Sequence, residues 1–285
     1  MPIVVTGATG HLGRLVIEEL LARGVPANEV VATGRAIDKI KDLADRGVQK
    51  REIDYDEPDS LRPAFAGADR VLLISGSEVG TRVAQHMNVI AAAAEARVGL
   101  LVYTSIANAD RSTMRIADDH RATEQALAGT DLPVTLLRNS WYLENYTAQI
   151  PTYLEHGTIL GSAGNGRVSA ATRADYAAAA AAVLSSDGHA GRIYELGGGT
   201  AYSMPELASA VSELSGREVV YRDLAEHEYA AALTAAGVPA GYAAVLADSD
   251  RGLAQGDLLV ESGDLSRLAG RATTTMYDAV AAALQ

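Results

Sequence analysis

Three glycines at intervals of three residues follow a short apolar run at the start of the chain. Gly7, Gly10 and Gly13 separate the run Ile3–Val5 from an amphipathic stretch. In a strand–turn–helix unit, the first glycine permits a tight turn, the second lets the backbone approach a pyrophosphate, and the third lets the helix pack closely on the sheet. The spacing differs from the usual G-x-G-x-x-G, and ordinary strand–turn–helix units share it. Its place at the head of a strand and helix alternation favours a dinucleotide.

The residue after the second predicted strand selects between two dinucleotides. NAD-binding proteins place an acidic residue about 20 residues after the glycine turn, where it binds the ribose hydroxyls. This chain instead has Arg35, preceded by the small pair Thr33–Gly34. A guanidinium can bind a 2′-phosphate with two hydrogen bonds, whereas a carboxylate would repel it. Arg35 therefore predicts NADPH, with NADH as the alternative cofactor, unless it is an ordinary solvated arginine.

Strand and helix patterns alternate over the first 140 residues. The predicted strands are Ile3–Val5, Val30–Thr33, Val48–Ile53, Val71–Ile74, Leu100–Thr104 and Val134–Leu137. The intervening helices are Leu12–Arg23, Ile37–Asp45, Ser60–Phe65, Arg82–Ala96 and one ending near Leu127. This alternation predicts right-handed crossovers and an α/β fold with a doubly wound parallel sheet, a Rossmann-like dinucleotide-binding domain over residues 1–140.

After Trp141 the alternation loosens. Residues 141–285 are predicted to form a smaller α/β cap that binds substrate and is interleaved with the first domain. Within it we expect helix Ala174–Leu184, strand Ile193–Leu196 and helix Pro205–Leu214, the last beginning behind Ser203 as its N-cap.

Composition excludes several classes of function. The chain has 285 residues, a formal net charge of -12 and no cysteine. An acidic surface does not attract nucleic acid, and the lack of thiols excludes disulfides, thiolate metal sites and a cysteine nucleophile. The histidines show no metal-ligand spacing, and no apolar run approaches the ~20 residues of a membrane span. We expect a cytoplasmic protein without a metal, a membrane segment or a nucleic-acid partner.

Several segments carry a family resemblance. Thr6–Gly13, Leu73–Gly80, Tyr103–Ser105 and Leu137–Tyr146 together resemble the NmrA-like branch of atypical short-chain dehydrogenases, and within it the type-2 NAD(P)H:quinone oxidoreductases. The likeness continues through Ala171–Tyr176 and Ala247–Asp250, so it spans almost the whole chain. The chain departs from the reductases at Gly76, where serine is commoner, and at Thr33–Gly34, where bulkier residues are usual.

The glycine turn, Arg35 and the resemblance imply a set of cofactor contacts. The predicted residues are Gly7, Thr9, Gly10, His11, Leu12, Gly13, Arg35, Asp54, Tyr55, Ile74, Ser75, Gly76, Tyr103, Thr104 and Asn139. Asp54 and Tyr55, after the third strand, are placed to meet the adenine, although the same residues also suit the opening of a turn.

Ordinary short-chain dehydrogenases use a Tyr-x-x-x-Lys pair, in which the ammonium lowers the tyrosine pKa for proton transfer. This chain has lysines only at positions 39, 41 and 50, so no such pair is available beyond the third strand. The helix after Tyr103–Ser105 carries His120 and, four residues later, Glu124. Their spacing places them on one helix face, as a proton donor with an orienting carboxylate or as a surface pair.

The remaining catalytic predictions concern the carboxyl edge of the sheet, where ligands of this fold bind. Ser77 lies in the loop after the fourth strand, and Trp141, Tyr142 and Asn145 follow the sixth. The loop is either a substrate contact or a plain turn, and the aromatic pair either a pocket wall or core. Arg173 is expected either to hold a quinone oxygen or to pair with Asp175.

Two functions of different classes fit these features. The first is an NADPH-dependent reductase that transfers a hydride to quinones or related electron-poor aromatic compounds, acting as a monomer or homodimer. The second is a non-catalytic redox sensor, because some NmrA-like proteins bind the dinucleotide without turning it over. An enzyme requires an open space beside the nicotinamide, and the Ser77 and Trp141 segments favour the enzyme.

Overall fold

A computed structural model of the chain describes residues 1–78 and 80–285. In chain order its strands are β1 Ile3–Val5, β2 Val30–Gly34, β3 Gln49–Glu52, β4 Arg70–Leu73, β5 Leu100–Ile106, β6 Val134–Asn139, β7 Thr158–Gly161, β8 Arg167–Val168, β9 Ile193–Leu196, β10 Tyr202–Ser203 and β11 Val220–Asp223. Its α-helices are α1 His11–Ala22, α2 Lys41–Asp45, α3 Pro58–Phe65, α4 Arg82–Glu95, α5 Arg115–Ala128, α6 Glu144–Thr147, α7 Ile150–His156, α8 Arg173–Ser185, α9 Met204–Ser215, α10 Glu226–Ala235, α11 Ala240–Ala254, α12 Asp264–Ala269 and α13 Met276–Ala283. Single 3₁₀ turns span Ala27–Glu29 and Ile37–Ile40.

The main sheet has seven parallel strands in the order β3-β2-β1-β4-β5-β6-β9. The order reverses at β1 and β4, which is the switch point where this class of fold binds its ligands. The predicted doubly wound sheet is confirmed. The prediction that strand Ile193–Leu196 belongs to the cap is wrong, because β9 pairs with β6 and forms the edge of the main sheet. Local sequence identifies a strand, but a distant part of the chain supplies its partner.

Helices cover both faces of the sheet, as a parallel sheet requires. On one face α1 packs against α8, whose residues Ala177–Ala182 are all buried. Alanine side chains are small and favour helix formation, so the two helices can approach closely. The Arg23 guanidinium donates to the Ala178 carbonyl oxygen at 3.2 Å and closes one end of this contact. The first helix of the chain is therefore buried by a helix that follows residue 140.

A second apolar core lies under the cap, between α9 and the short sheets β7–β11 and β8–β10. Helix α9 begins with a capping box, in which Ser203 and Glu206 exchange side-chain and backbone hydrogen bonds. The sequence correctly predicts this helix and its cap. Strand β7 and helices α10 to α13 were not predicted, because the stretch Gly157–Gly166 is rich in glycine and the later helices are short or weakly patterned.

A buried arginine ties three elements together below the carboxyl edge of the sheet. Arg138 of β6 has 9% of its side chain exposed and binds Glu124 of α5 at 2.7 Å, Glu195 of β9 at 2.9 Å and Asp110 at 3.0 Å. Ser105 also donates to Glu124. A buried charge is tolerated only where partners satisfy it, so this cluster fixes α5 and β9 relative to β6.

We expect Arg138→Met to lower the free energy of unfolding by about 3 to 5 kcal/mol, because it leaves the buried Glu124 carboxylate without its cation. Arg62→Met is the matched control, since Arg62 pairs with Asp59 and Glu95 on the surface and such pairs contribute at most about 1 kcal/mol. Urea unfolding of both variants measures the difference. Equal losses in the two would contradict the role given to the buried cluster.

Candidate active site

The glycine turn forms an open anion-binding end on α1. Gly7 has a φ of +60°, and the Gly10 N–H donates to the Gly7 carbonyl oxygen at 3.0 Å. A Cβ atom at Gly13 would lie 2.4 Å from that same oxygen, so only glycine lets the helix come this close. Within the described part of the chain, no side chain caps the helix at Gly10 and its first turn carries no acidic residue. Its first N–H groups are therefore available to a pyrophosphate.

Gly34, one of the departures from the family pattern, has a steric reason. A Cβ atom at this position would lie 2.8 Å from the Thr9 Oγ1 atom. The missing side chain at the end of β2 thus makes room for Thr9 of the glycine turn. His11 is exposed at the start of α1 and Leu12 is buried, so the turn presents one polar and one apolar side chain in succession.

Asp54 and Tyr55 are held in a turn that joins the sheet. The Asp54 Oδ1 atom accepts from the Asp56 N–H at 3.1 Å, which is the turn geometry that the sequence left open. The Tyr55 hydroxyl lies 2.5 Å from Thr6 Oγ1 and 3.0 Å from the Ile74 carbonyl oxygen, and burial raises its pKa. Its hydroxyl thus lies between the residue after β1 and the residue after β4. Contact of these two residues with adenine stays a prediction.

Arg35 lies at the same edge, 63% exposed, and donates to the Glu78 Oε1 atom at 2.9 Å. Glu78 belongs to the loop after β4, and its neighbour Val79 lies outside the described residues. Nothing in the sequence indicates this pairing, because the two residues are 43 positions apart.

The loop that carries Ser75 to Ser77 is held by hydrogen bonds to side chains of β5 and α4. Ser75 N–H donates to Thr104 Oγ1 at 2.9 Å, and Ser77 is exposed. The Gly76 N–H donates to His86 Nε2 at 2.9 Å, while Arg82 Nε donates to the Gly76 carbonyl oxygen at 2.6 Å. Both backbone groups of Gly76 are therefore bonded to buried side chains of α4.

Gly76 also lies close to a buried glutamine of α4. A Cβ atom there would lie 3.0 Å from the Oε1 atom of Gln85, which is 3% exposed and also donates to Asp56 and Glu78. A serine at this position would therefore require the end of the glutamine side chain to shift by a few tenths of an ångström.

The tautomer of His86 follows from its partners. Because Nε2 accepts from Gly76, Nδ1 must carry the proton and donate to Thr123 Oγ1 at 2.9 Å, and Thr123 in turn donates to the Asp119 carbonyl oxygen. Burial, aided by the charge of Arg82, lowers the pKa of His86 to about 3. The imidazole is therefore neutral at physiological pH and holds the loop in place.

The predicted pair of His120 and Glu124 is not formed. His120 is 5% exposed and its Nδ1 atom lies 2.7 Å from the Tyr103 hydroxyl, while Glu124 binds Ser105 and Arg138 instead. Burial lowers the pKa of His120 well below its usual value. A neutral, buried imidazole does not fit the role of a proton-donating imidazolium. The helical spacing was read correctly, but the buried Arg138 attracts the carboxylate away.

Beyond β6, the structure brings the predicted residues Tyr142, Asn145 and Arg173 together. The Arg173 guanidinium lies 4.7 Å from the Tyr142 ring centre, and its NH2 group donates to Asn145 Oδ1 at 3.2 Å. Glu144, which the sequence analysis did not single out, accepts from the Arg173 N–H at 2.8 Å. The alternative pairing of Arg173 is wrong, because Asp175 instead binds Arg271 and the Thr274 N–H.

Two further features belong to this edge. Trp141 is half-buried and packs against the core of the cap, and its contact with a substrate stays a prediction. Asn139, at the end of β6, is 5% exposed, and its Oδ1 atom has no hydrogen-bond partner among the described residues. Buried acceptors are seldom left unpaired, so this oxygen is suited to a donor on a bound ligand.

Among residues 1–78 and 80–285, no group of three or more acidic or histidine side chains could hold a metal ion. No helix in the described ranges is long and apolar enough to cross a bilayer.

Comparison with known proteins identifies an NAD(P)H-binding family and related oxidoreductases. Residues 7–187 match a family described as NAD(P)H-binding. The chain is 48% identical over 278 residues to quinone oxidoreductase 2 of Escherichia coli K12. The aligned region covers 98% of this chain and 97% of that protein. It is 28% identical to an NmrA-like family domain-containing oxidoreductase of Aspergillus flavus, over 98% of this chain and 94% of that one.

Solved structures agree with these relatives. The crystal structure of the NADPH-dependent quinone oxidoreductase of Escherichia coli complexed with NADPH superimposes with a TM-score of 0.97 at 47% identity, covering 99% of this chain and all of that one. A triphenylmethane reductase of Citrobacter sp. complexed with NADP(H) gives a TM-score of 0.93 at 38% identity, with 99% of each chain covered.

The neutral His86 makes stability depend on pH in a defined direction. An unfolded histidine takes up a proton below about pH 6.5, whereas the folded one does so only near its lowered pKa of about 3. Its contribution is therefore complete above about pH 6.5 and is lost as the pH falls below that value. We expect Tm to fall between pH 7.5 and pH 5.5, and to fall less in His86→Gln, which can keep both hydrogen bonds without titrating. An equal fall in both proteins would show that His86 is not the group responsible.

Proposed function

The chain belongs to the NAD(P)H-binding, NmrA-like family, and on this premise we propose that it is an NADPH-dependent reductase that transfers a hydride to quinones or related electron-poor aromatic compounds. The observation that carries the proposal is the near-full-length identity of 48% to a quinone oxidoreductase. The geometry of the carboxyl edge fits it.

The residues present suit NADPH at both ends of the groove. The uncapped start of α1 offers backbone N–H groups to the pyrophosphate, and the unpaired Asn139 Oδ1 atom can accept a hydrogen bond from the carboxamide of the nicotinamide. When bound, NADPH supplies the hydride. We assign to the loop at Ser75–Ser77 and to the ring of Tyr142 the orientation of the quinone over the nicotinamide.

The proposed reaction does not require a strong proton donor. A reduced quinone is a stabilised oxyanion, unlike the alkoxide formed from a ketone, so a nearby hydrogen-bond donor is sufficient. Arg173, fixed between Asn145 and the Tyr142 ring, is the cation that we assign to the quinone oxygen. The chain is accordingly an atypical reductase without the Tyr-x-x-x-Lys pair, since its lysines stand only at positions 39, 41 and 50.

The decisive experiment compares acceptors. We expect oxidation of NADPH in the presence of simple benzoquinones and naphthoquinones, and negligible oxidation with aliphatic or aryl ketones, because the ketones require a stronger acid than this edge offers. Absorbance at the NADPH band measures both rates. Comparable rates on quinones and ketones would contradict the proposed chemistry. Tight NADPH binding with no turnover of any acceptor would indicate the non-catalytic redox sensor instead.

A variant at Trp141 distinguishes a role in substrate contact from a role in core packing. We expect Trp141→Ala to raise the quinone KM or lower kcat while the NADPH Kd stays within about threefold, because the indole is placed beyond β6 and away from the glycine turn. Steady-state kinetics and cofactor titration of the same preparation measure the two effects. Matched losses in quinone and cofactor binding would mean that the indole serves the core alone.

A further inference from the structure

The pair of Arg35 and Glu78 spans the glycine turn. Strands β2 and β4 lie on opposite sides of β1, and the turn leaves β1 between them. Neighbouring strands are about 4.8 Å apart, so the ends of β2 and β4 are about 10 Å apart. Arg35 follows β2 and Glu78 belongs to the loop after β4, and their 2.9 Å bond closes this gap. The bond therefore crosses the groove in which the adenosine half of a dinucleotide has to lie.

Glu78 is positioned by several contacts. Its carbonyl oxygen accepts from the Arg82 N–H at 3.1 Å and from the Thr81 hydroxyl at 3.4 Å, at the start of α4. Its Oε2 atom accepts from the buried Gln85 amide at 3.3 Å, and the Oε1 atom accepts from Arg35. A carboxylate near a helix N-terminus is also favoured by the helix dipole. The side chain thus points at Arg35 because α4 holds it there.

The pair can be exchanged for a ligand. Arg35 is 63% exposed and Glu78 44% exposed, and an exposed ion pair of this kind is weak. A 2′-phosphate carries nearly two charges and accepts bidentate hydrogen bonds, so it is a stronger partner for the guanidinium than one carboxylate oxygen. Glu78, fixed by α4, would remain beside the phosphate after the exchange and would repel it.

We propose that Glu78 is a specificity-determining residue at the adenosine end of the site: it occupies Arg35 when no 2′-phosphate is present and so limits the preference for NADPH over NADH. NADH carries no 2′-phosphate and leaves the pair intact. This inference rests on the proposed function only in assuming that Arg35 receives the 2′-phosphate, and it concerns binding rather than turnover.

The test is a titration of NADPH and NADH at low ionic strength, without quinone, into four proteins: the wild type, Glu78→Gln, Arg35→Ala and the double variant. We expect Glu78→Gln to lower the NADPH Kd about threefold to tenfold and to leave the NADH Kd within about twofold. The gain should shrink at 0.5 M salt, and it should be smaller in the Arg35→Ala background, where only the direct repulsion between Glu78 and the phosphate is relieved. Glu95→Gln, at the far end of α4, makes the same change of charge and should alter neither Kd.

Three results would overturn the inference. An unchanged NADPH Kd in Glu78→Gln would mean that the ion pair does not affect cofactor affinity. Weaker NADH binding in Glu78→Gln with unchanged NADPH binding would place Glu78 on the adenosine ribose instead. A wild-type ratio of the two dissociation constants in Arg35→Ala would mean that Arg35 does not receive the phosphate. A failure of quinone reduction would be seen separately, in the NADPH oxidation assay, and would leave these binding results intact.

Discussion

The contact between Gly13 and the carbonyl oxygen of Gly7 governs the rest of the site. A single Cβ atom at Gly13 would come within 2.4 Å of that oxygen, so the backbone of α1 touches the turn directly. This contact fixes the distance and direction of the helix start relative to β1. The position of the open N–H groups of α1, in front of the strand ends, follows from where that helix begins. A looser turn would lose the geometry even if every side chain were kept.

The other half of the carboxyl edge depends on buried side chains rather than on glycine. His86 and Arg82 bind the two backbone groups of Gly76, and both side chains are buried. A neutral imidazole with a fixed tautomer is a rigid support, because rotation would leave the Gly76 N–H and Thr123 unpaired. The site therefore combines a backbone-defined phosphate end with a loop held by side chains of α4.

Much of this arrangement could be predicted from the sequence, for a physical reason. Apolar periodicity and glycine spacing are local, and they identified the six strands of the first 140 residues, the turn, and the helix behind Ser203. Pairing over long distances is not local. The place of β9 beside β6, the capture of Glu124 by Arg138 and the bond from Arg35 to Glu78 each depend on residues brought together only by the fold. The segments around Ser77 and Trp141 were identified through family resemblance, whereas Glu144 and Gln85 gave no separate signal.

The packing of α8 on α1 has a consequence for how the protein is made. The apolar face of α1, with Val16, Ile17 and Leu20, is buried in the cluster to which α8 contributes, and the edge of β6 is covered by β9. During synthesis the ribosome releases the glycine turn early, but α8, which packs against its helix, follows residue 140. A nascent chain that ends before β9 exposes both an apolar helix face and an unpaired strand edge. The packing around the first helix and the far edge of the sheet is thus completed late, when residue 196 has emerged.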